Sequence, residues 1–166
     1  MMDTLRVGKI RYYLDIADSV SKRSTCLRRQ YGSVIVKNDE IISTGYNGAP
    51  RGMTDCLQKG SCVREKLNVP RGTMYEKCIA VHAEMNAIIS ASRRDMIGST
   101  LYLSGREVKT GELVKDATPC AMCLRAILNS GIDYIYINAD NTDGYKLLTH
   151  IDFFTIHDKI MENNGY

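Results

Sequence analysis

Apolar residues at Ile10, Tyr13, Leu14, Ala17 and Val20 recur at intervals of three and four, which gathers them on one side of a helix. The spacing predicts an amphipathic helix over about 5–23. Two short runs rich in Val and Ile follow, 32–37 and 40–45, on either side of Asn38-Asp39; this pattern predicts a β-hairpin. Between 46 and 80 neither period holds. Gly48, Pro50, Gly52, Gly60, Pro70 and Gly72 break that stretch repeatedly, and so long a loop in a compact domain is functional or is held by something. Beyond it the pattern predicts a helix over about 81–93, a strand over 99–104, a polar hairpin or loop over 105–118 and a second helix over about 120–130, stopped by Gly131. A nearly pure strand pattern over 132–137, a short helical turn over 143–148 and a last, edge-like strand over 151–156 complete the chain. This order of elements implies an α/β fold whose mixed sheet carries helices on its faces. No repeat, linker or low-complexity tract appears, so 1–166 reads as a single domain with 46–80 as a cysteine-rich insert.

Composition narrows the class. A hydrophobic content of 44% and a charged content of 25% are ordinary for a soluble globular protein. Residues 1–9 lack the apolar core of a signal peptide, and no apolar stretch reaches the length that spans a bilayer. The expected compartment is therefore the cytoplasm, with no membrane partner. Thiols stay reduced there, so six cysteines point to metal more than to disulfides. The net charge of +3 suits a small phosphorylated ligand and gives little support to a nucleic-acid footprint, so no nucleic-acid partner is expected.

The chemistry concentrates in His82-Ala83-Glu84 and, downstream, Pro119-Cys120-Ala121-Met122-Cys123. One imidazole and two thiolates make three zinc ligands and leave the fourth tetrahedral position open for water. Glu84, two residues after the histidine, is placed to handle that water's protons. The apolar run Met85, Ala87, Ile88, Ile89 puts His82 and Glu84 at the first turn of a helix, and Pro119 suits the opening of another, with Cys120 and Cys123 one turn apart. Thiols at a helix start are favoured as thiolates by the dipole and by free backbone N–H groups. A C-x-x-C pair alone also occurs as a structural zinc clip or a redox dithiol, but neither needs the H-x-E partner. The combined H-x-E and P-C-x-x-C pattern is a known mark of zinc deaminases that act on nucleobases.

Three stretches together resemble the deoxycytidylate (dCMP) deaminases of the cytidine deaminase-like superfamily. Gly45-Tyr46-Asn47-Gly48-Ala49-Pro50-Arg51-Gly52 is similar to that branch's G-Y-N-G-x-P-x-G loop, His82 to Ile88 to its H-A-E-x-N-A-I, and the helix after Cys120, ending in Gly131-Ile132, to its P-C-x-x-C helix. The likeness spans roughly 10–140. It implies a three-layer α/β/α fold with a five-stranded mixed sheet. It also implies hydrolysis of dCMP to dUMP and ammonia, with zinc-bound hydroxide attacking C4 and Glu84 as proton shuttle. By the same resemblance His82, Cys120 and Cys123 hold the catalytic zinc and Asn47 contacts the sugar; on its own, Asn47 before Gly48 reads equally as a turn residue. Arg28, just before the strand leading to that loop, is the candidate for the phosphate, with a solvated arginine or Arg51 as alternatives. Many dCMP deaminases are hexamers activated by dCTP with Mg2+ and inhibited by dTTP, so the resemblance extends a homo-oligomer and those effectors to this chain.

Cys26, Cys56, Cys62 and Cys78 remain once the catalytic pair is assigned. Four thiols are enough to close a tetrahedral site, and three of them lie in the irregular segment, which has few other means of holding its shape. Some dCMP deaminases similarly carry a second, structural zinc, and Cys26, Cys56 and Cys78 match positions there; Cys62 has the least support. Otherwise these are reduced thiols in core or surface. Other assignments for the whole chain are a tRNA adenosine, cytidine or dCTP deaminase, or a non-catalytic zinc-binding accessory protein. The residues 105–118 are longer than the corresponding link in many relatives.

Overall fold

The computed structural model describes residues 6–162. Met1–Leu5, and with them the first residue of the expected N-terminal helix, lie outside the described residues. Helix α1 (Lys9–Ser21) opens after Gly8 and buries Tyr13, Leu14 and Ala17, the stripe set by its apolar spacing. Strands β1 (Arg29–Lys37) and β2 (Glu40–Tyr46) form the predicted hairpin. Asn38 and Asp39 both adopt positive φ, 50° and 65°, the backbone that a two-residue turn needs to follow the right-handed twist of its strands.

The irregular segment holds only short pieces of helix, α2 (Cys56–Lys59) and α3 (Val63–Lys66), and a 3₁₀ turn at Tyr75–Lys77. Asp55 and Gln58 close a reciprocal capping box that lets so short a helix as α2 persist. Next come α4 (Ala83–Ile89), α5 (Arg93–Met96), β3 (Thr100–Glu107), α6 (Ala121–Ser130), β4 (Tyr134–Asn138), β5 (Tyr145–Leu148) and α7 (His150–Glu162).

The five strands form one sheet in the order β2-β1-β3-β4-β5, with β3 and β4 parallel and the other pairs antiparallel. Strand alternation sorts the core into two layers. Val34, Val36 and Tyr102 pack under α1 on one face, while Ile35, Leu101, Leu103, Ile135 and Ile137 meet α4, α6 and α7 on the other. The result is the three-layer α/β/α arrangement with a five-stranded mixed sheet.

Two expectations near the C-terminus are corrected. The stretch 143–148 is not a helical turn: Tyr145–Leu148 is β5, hydrogen-bonded to β4 after a turn in which Asn141 Oδ1 accepts from Gly144 N (2.8 Å) and Gly144 takes φ 74°. The stretch 151–156 is not an edge strand but lies within α7. Its Ile and Phe content favours strands, yet Thr149 donates both its backbone N–H (2.8 Å) and its hydroxyl (2.9 Å) to Asp152, which caps a helix start. Phe153 is then buried with Ile156 partly covered, whereas Ile151 and Phe154 face out, a period of three and not of two. The expected 81–93 helix is also divided. The Ser90 hydroxyl returns to Asn86 O (2.8 Å) and Ser92 caps α5, so α4 stops at Ile89. Both β1 and β3 run longer than their apolar cores suggested, because Arg29–Tyr31 pair with Gly105–Glu107 beyond them.

Candidate metal centre and the cavity beside it

Backbone geometry places two helix starts at one point on the α4–α6 face. Val81 and Gly48 exchange both of their backbone hydrogen bonds (3.1 and 2.8 Å), which fixes the residue before the histidine. His82 is the N-cap of α4 and Cys120 the N-cap of α6. Gly45 lets α4 sit on the sheet: a Cβ there would collide with the backbone at Ala83, Asn86 and Ala87. At its far end α6 stops on Gly131, φ 86°, whose N–H turns back to Leu128 O.

His82 Nδ1 lies 3.5 Å from Cys120 Sγ and 3.4 Å from Cys123 Sγ. All three ligand atoms fall within 4.8 Å of one another. Among the described residues this is the group of three or more His, Cys, Asp or Glu side chains drawn that close together. One nitrogen and two sulfurs make a borderline-soft donor set that suits zinc. Cys123 is buried, with 1% of its surface exposed. The Cys120 thiol is pushed down from its ordinary range, first by the hydrogen bond from Cys123 and then by His82, while Cys123 keeps its proton and is pushed up. His82 is raised by its hydrogen bond to Cys120, against the opposing effect of burial. The hydrogen bond between the two thiols thus shifts them in opposite directions.

Glu84, in the first turn of α4, is buried at 6% exposure, and burial holds its carboxyl above the usual range; the Cys123 thiol hydrogen-bonds to it. A buried acid that retains a proton nearer neutrality is suited to proton transfer.

A cavity of about 170 Å³ adjoins this centre. The Tyr75 ring in its wall stands edge-on to His82, centroids 5.1 Å apart, and Tyr31, also in the wall, is raised by burial with a smaller contribution from Glu84. Asn47 lines it too. Its Oδ1 accepts from Tyr31 N (2.8 Å) and its Nδ2 donates to Arg29 O (3.0 Å), continuing the β1–β2 pairing past Tyr46. Asn47 is not at positive φ, so the turn role open to it in the sequence is not the one it plays. Arg28 lines the cavity with its Nε 3.9 Å from Glu65, whereas Arg51 is exposed and lies outside the wall.

Cys26, Cys56, Cys62 and Cys78 line the same cavity as free thiols. Burial pushes Cys56 and Cys78 up, and neighbouring thiols push these two further; the four do not close to the spacing of the His82 group. Arg64 ties down the loop around them: buried at 5% exposure, it donates to Met74 O and Pro70 O (3.0 Å each) and lies over the Tyr75 ring at 5.0 Å. Arg29, Arg64, Arg71, Tyr31 and Tyr75 are absent from the sequence candidates. The one local signal in the sequence is the adjacent pair Arg28-Arg29, whose second member opens β1.

Similarity to known proteins agrees with this geometry. The family model for the cytidine and deoxycytidylate deaminase zinc-binding region matches residues 8–139. The deoxycytidylate deaminase of Mycobacterium phage D29 is 39% identical over 129 residues, 75% of this chain and 89% of its own. That of Schizosaccharomyces pombe is 33% identical over 135 residues, covering 81% of this chain but 38% of its own length. The crystal structure of dCMP deaminase from the cyanophage S-TIM5 in apo form aligns with a TM-score of 0.55 at 27% identity, over 81% of this chain and 85% of that one. The chain belongs to the cytidine and deoxycytidylate deaminase zinc-binding family, whose members are hydrolytic deaminases. Within that family, the three relatives just described are all deoxycytidylate deaminases.

Proposed function

We propose that this protein hydrolyses dCMP to dUMP and ammonia, with His82, Cys120 and Cys123 holding a catalytic zinc and Glu84 carrying protons. The observation behind it is the convergence of one ring nitrogen and two sulfurs within 4.8 Å, next to a buried acid. Zinc bound there would supply Lewis acidity and make water reactive at neutral pH. A C4–O bond forms and the C4–N bond breaks, while the two hydrogens of water end on N3 and on the departing ammonia. Glu84 is the group in position to move both, and its raised affinity for a proton fits that double duty. Tyr75 and Tyr31 line the cavity, and the Tyr75 ring also touches His82. Asn47 keeps a second Nδ2 hydrogen beyond the one given to Arg29 O and takes the sugar, and Arg28 faces the phosphate.

The same reading assigns Cys26, Cys56, Cys62 and Cys78 to a second, structural zinc. The four thiols line the same cavity, and four sulfurs are the number that closes a tetrahedral zinc site. The described chain would then act as one domain, its insert held by metal. Control by dCTP with Mg2+, inhibition by dTTP and assembly into a homo-oligomer are carried by the family resemblance. Among the described residues no helix is long and apolar enough to cross a membrane.

Ammonia release from dCMP, dCTP, cytidine and a tRNA anticodon stem, each offered to the zinc-loaded protein, tests the assignment. A clear preference for dCMP is expected. Higher kcat/KM on any of the other three would replace this reading with that one.

A further inference from the structure

Asn86 stands two residues after Glu84 in α4, yet it is no metal ligand and carries no proton in the reaction proposed above. Its side chain is committed elsewhere: Nδ2 donates to Tyr46 O at 2.7 Å. Sheet geometry explains why that carbonyl is open. β2 is an edge of the sheet, and Tyr46 at its end stands opposite Gly32. Because Asn47 N donates to Tyr31 O (3.2 Å), Tyr46 and Gly32 form a pair that does not bond across the strands, so the Tyr46 carbonyl points away from β1. Gly48, two residues on, exchanges backbone hydrogen bonds with Val81, next to His82. Asn47 is thus the residue caught between two ties to the start of α4, one at Tyr46 and one at Gly48. The helix itself is docked on the hairpin by other groups. The buried hydroxyls of Ser33 and Ser43 donate to Ala83 O and Ala87 O, 2.8 Å each.

We infer that Asn86 is a positioning residue for the substrate: it fixes Asn47 at the cavity wall relative to His82 and Glu84, and so sets where the sugar end of the nucleotide stands against the metal centre. The inference rests on the sugar contact proposed above for Asn47. The side-chain anchors of Asn47, Oδ1 to Tyr31 N and Nδ2 to Arg29 O, both refer it to β1. Neither refers it to α4. The Gly48–Val81 exchange does so from one side, and a tie on one side leaves the peptide before Asn47 free to swing. The Asn86–Tyr46 bond closes the other side, and Asn86 is itself fixed to the histidine by its N–H, which donates to His82 O (3.0 Å). Small displacements of a group that holds substrate are costly in rate, which gives such a double tie its value. Asn86 and Tyr46 are only partly buried, so water can replace the bond when the amide is removed. Loss of Asn86 therefore falls on placement, whereas loss of the buried Ser43 hydroxyl falls on stability.

Calorimetric titration of dUMP, the product of the proposed reaction, into the zinc-loaded protein tests this beside steady-state kinetics on dCMP. The variants are Asn86→Ala, Asn86→Gln, Asn47→Ala, the Asn47→Ala and Asn86→Ala double variant, and Ser43→Ala. Asn86→Ala is expected to fold and hold zinc as the parent does, and to lose about tenfold in dUMP affinity and in kcat/KM. Combined with Asn47→Ala it should cost little more than Asn47→Ala alone, because the side chain it places is gone. Asn86→Gln keeps an amide donor and should recover part of the loss. Ser43→Ala, on the same hairpin and helix, should lower the melting temperature, with an effect on dUMP binding that adds to that of Asn47→Ala. Unchanged dUMP affinity in Asn86→Ala, or losses that add in the Asn47 and Asn86 cycle, would overturn the inference and leave the proposed function in place. So would a fall in melting temperature or zinc content as large as that of Ser43→Ala. Coupled losses of dUMP affinity in a protein that does not deaminate dCMP would keep the role of Asn86 and remove the proposed function. A parent protein that binds no dUMP would overturn both.

Discussion

Glu84 is a side chain whose ordinary preference is water, yet it is enclosed by the thiol pair and the start of α4. Such an arrangement keeps a carboxyl protonated nearer neutrality than it would be in solvent, at a cost in stability that the proposed proton-carrying role would explain. Glu84→Gln keeps the shape and removes the titrating proton. It is expected to bind zinc at His82, Cys120 and Cys123 as before and to lose roughly 10²- to 10⁴-fold in kcat. Metal analysis beside turnover checks both halves, and near-normal turnover would remove Glu84 from the mechanism. At this scale the His82, Cys120, Cys123 grouping is readable from spacing, because each ligand is tied to a helix start and helix starts have sequence signatures. Arg29 and Arg71, which meet at Glu107, have no such signature. Their meeting depends on strand register across 78 positions and on the path of an irregular loop, and neither leaves a local pattern.

Among the elements, α7 shows how a cap overrides composition. The run from Ile151 to Ile156 carries strand-forming side chains, but the Thr149–Asp152 contact commits the chain to helix one residue earlier. That threonine-x-x-aspartate spacing stands in the sequence, ahead of an apolar run with the composition of a strand; likewise Gly144 marks the turn into β5. The Asp152 carboxyl is held below its usual range, first by the Thr149 N–H and then by its hydroxyl. Its contribution is therefore in place above the unfolded carboxyl pKa of about 3.9 and is lost as pH falls through the lower folded value. Asp152→Ala should cost about 1 kcal/mol at neutral pH. In thermal melts the gap between the two proteins should close below about pH 4. A gap that persists unchanged into acid would mean the cap does not act through the carboxylate.

For the molecule as a whole, the sheet and its two helical layers are built from apolar contacts, whereas the segment between β2 and α4 has little of its own core. Its fixed points are the Asp55–Gln58 box, the Arg64 contacts and the Gly48–Val81 bridge. Metal binding at the cysteines would convert binding free energy into folding free energy for that segment. Cys56→Ser should lower zinc content from two ions per chain towards one and lower the melting temperature; unchanged metal and melting would dispense with the second ion. The layered architecture was legible because periods of two and of three to four residues survive along most of the chain. The insert was not, since caps and a buried arginine order it where no period exists. Gly45 adds a last consequence. Glu84 rides on a helix that rests on bare backbone at that position, with no side chain to cushion it. Even a methyl group there would force helix and strand apart, so position 45 governs where Glu84 and His82 stand although it touches neither side chain's chemistry.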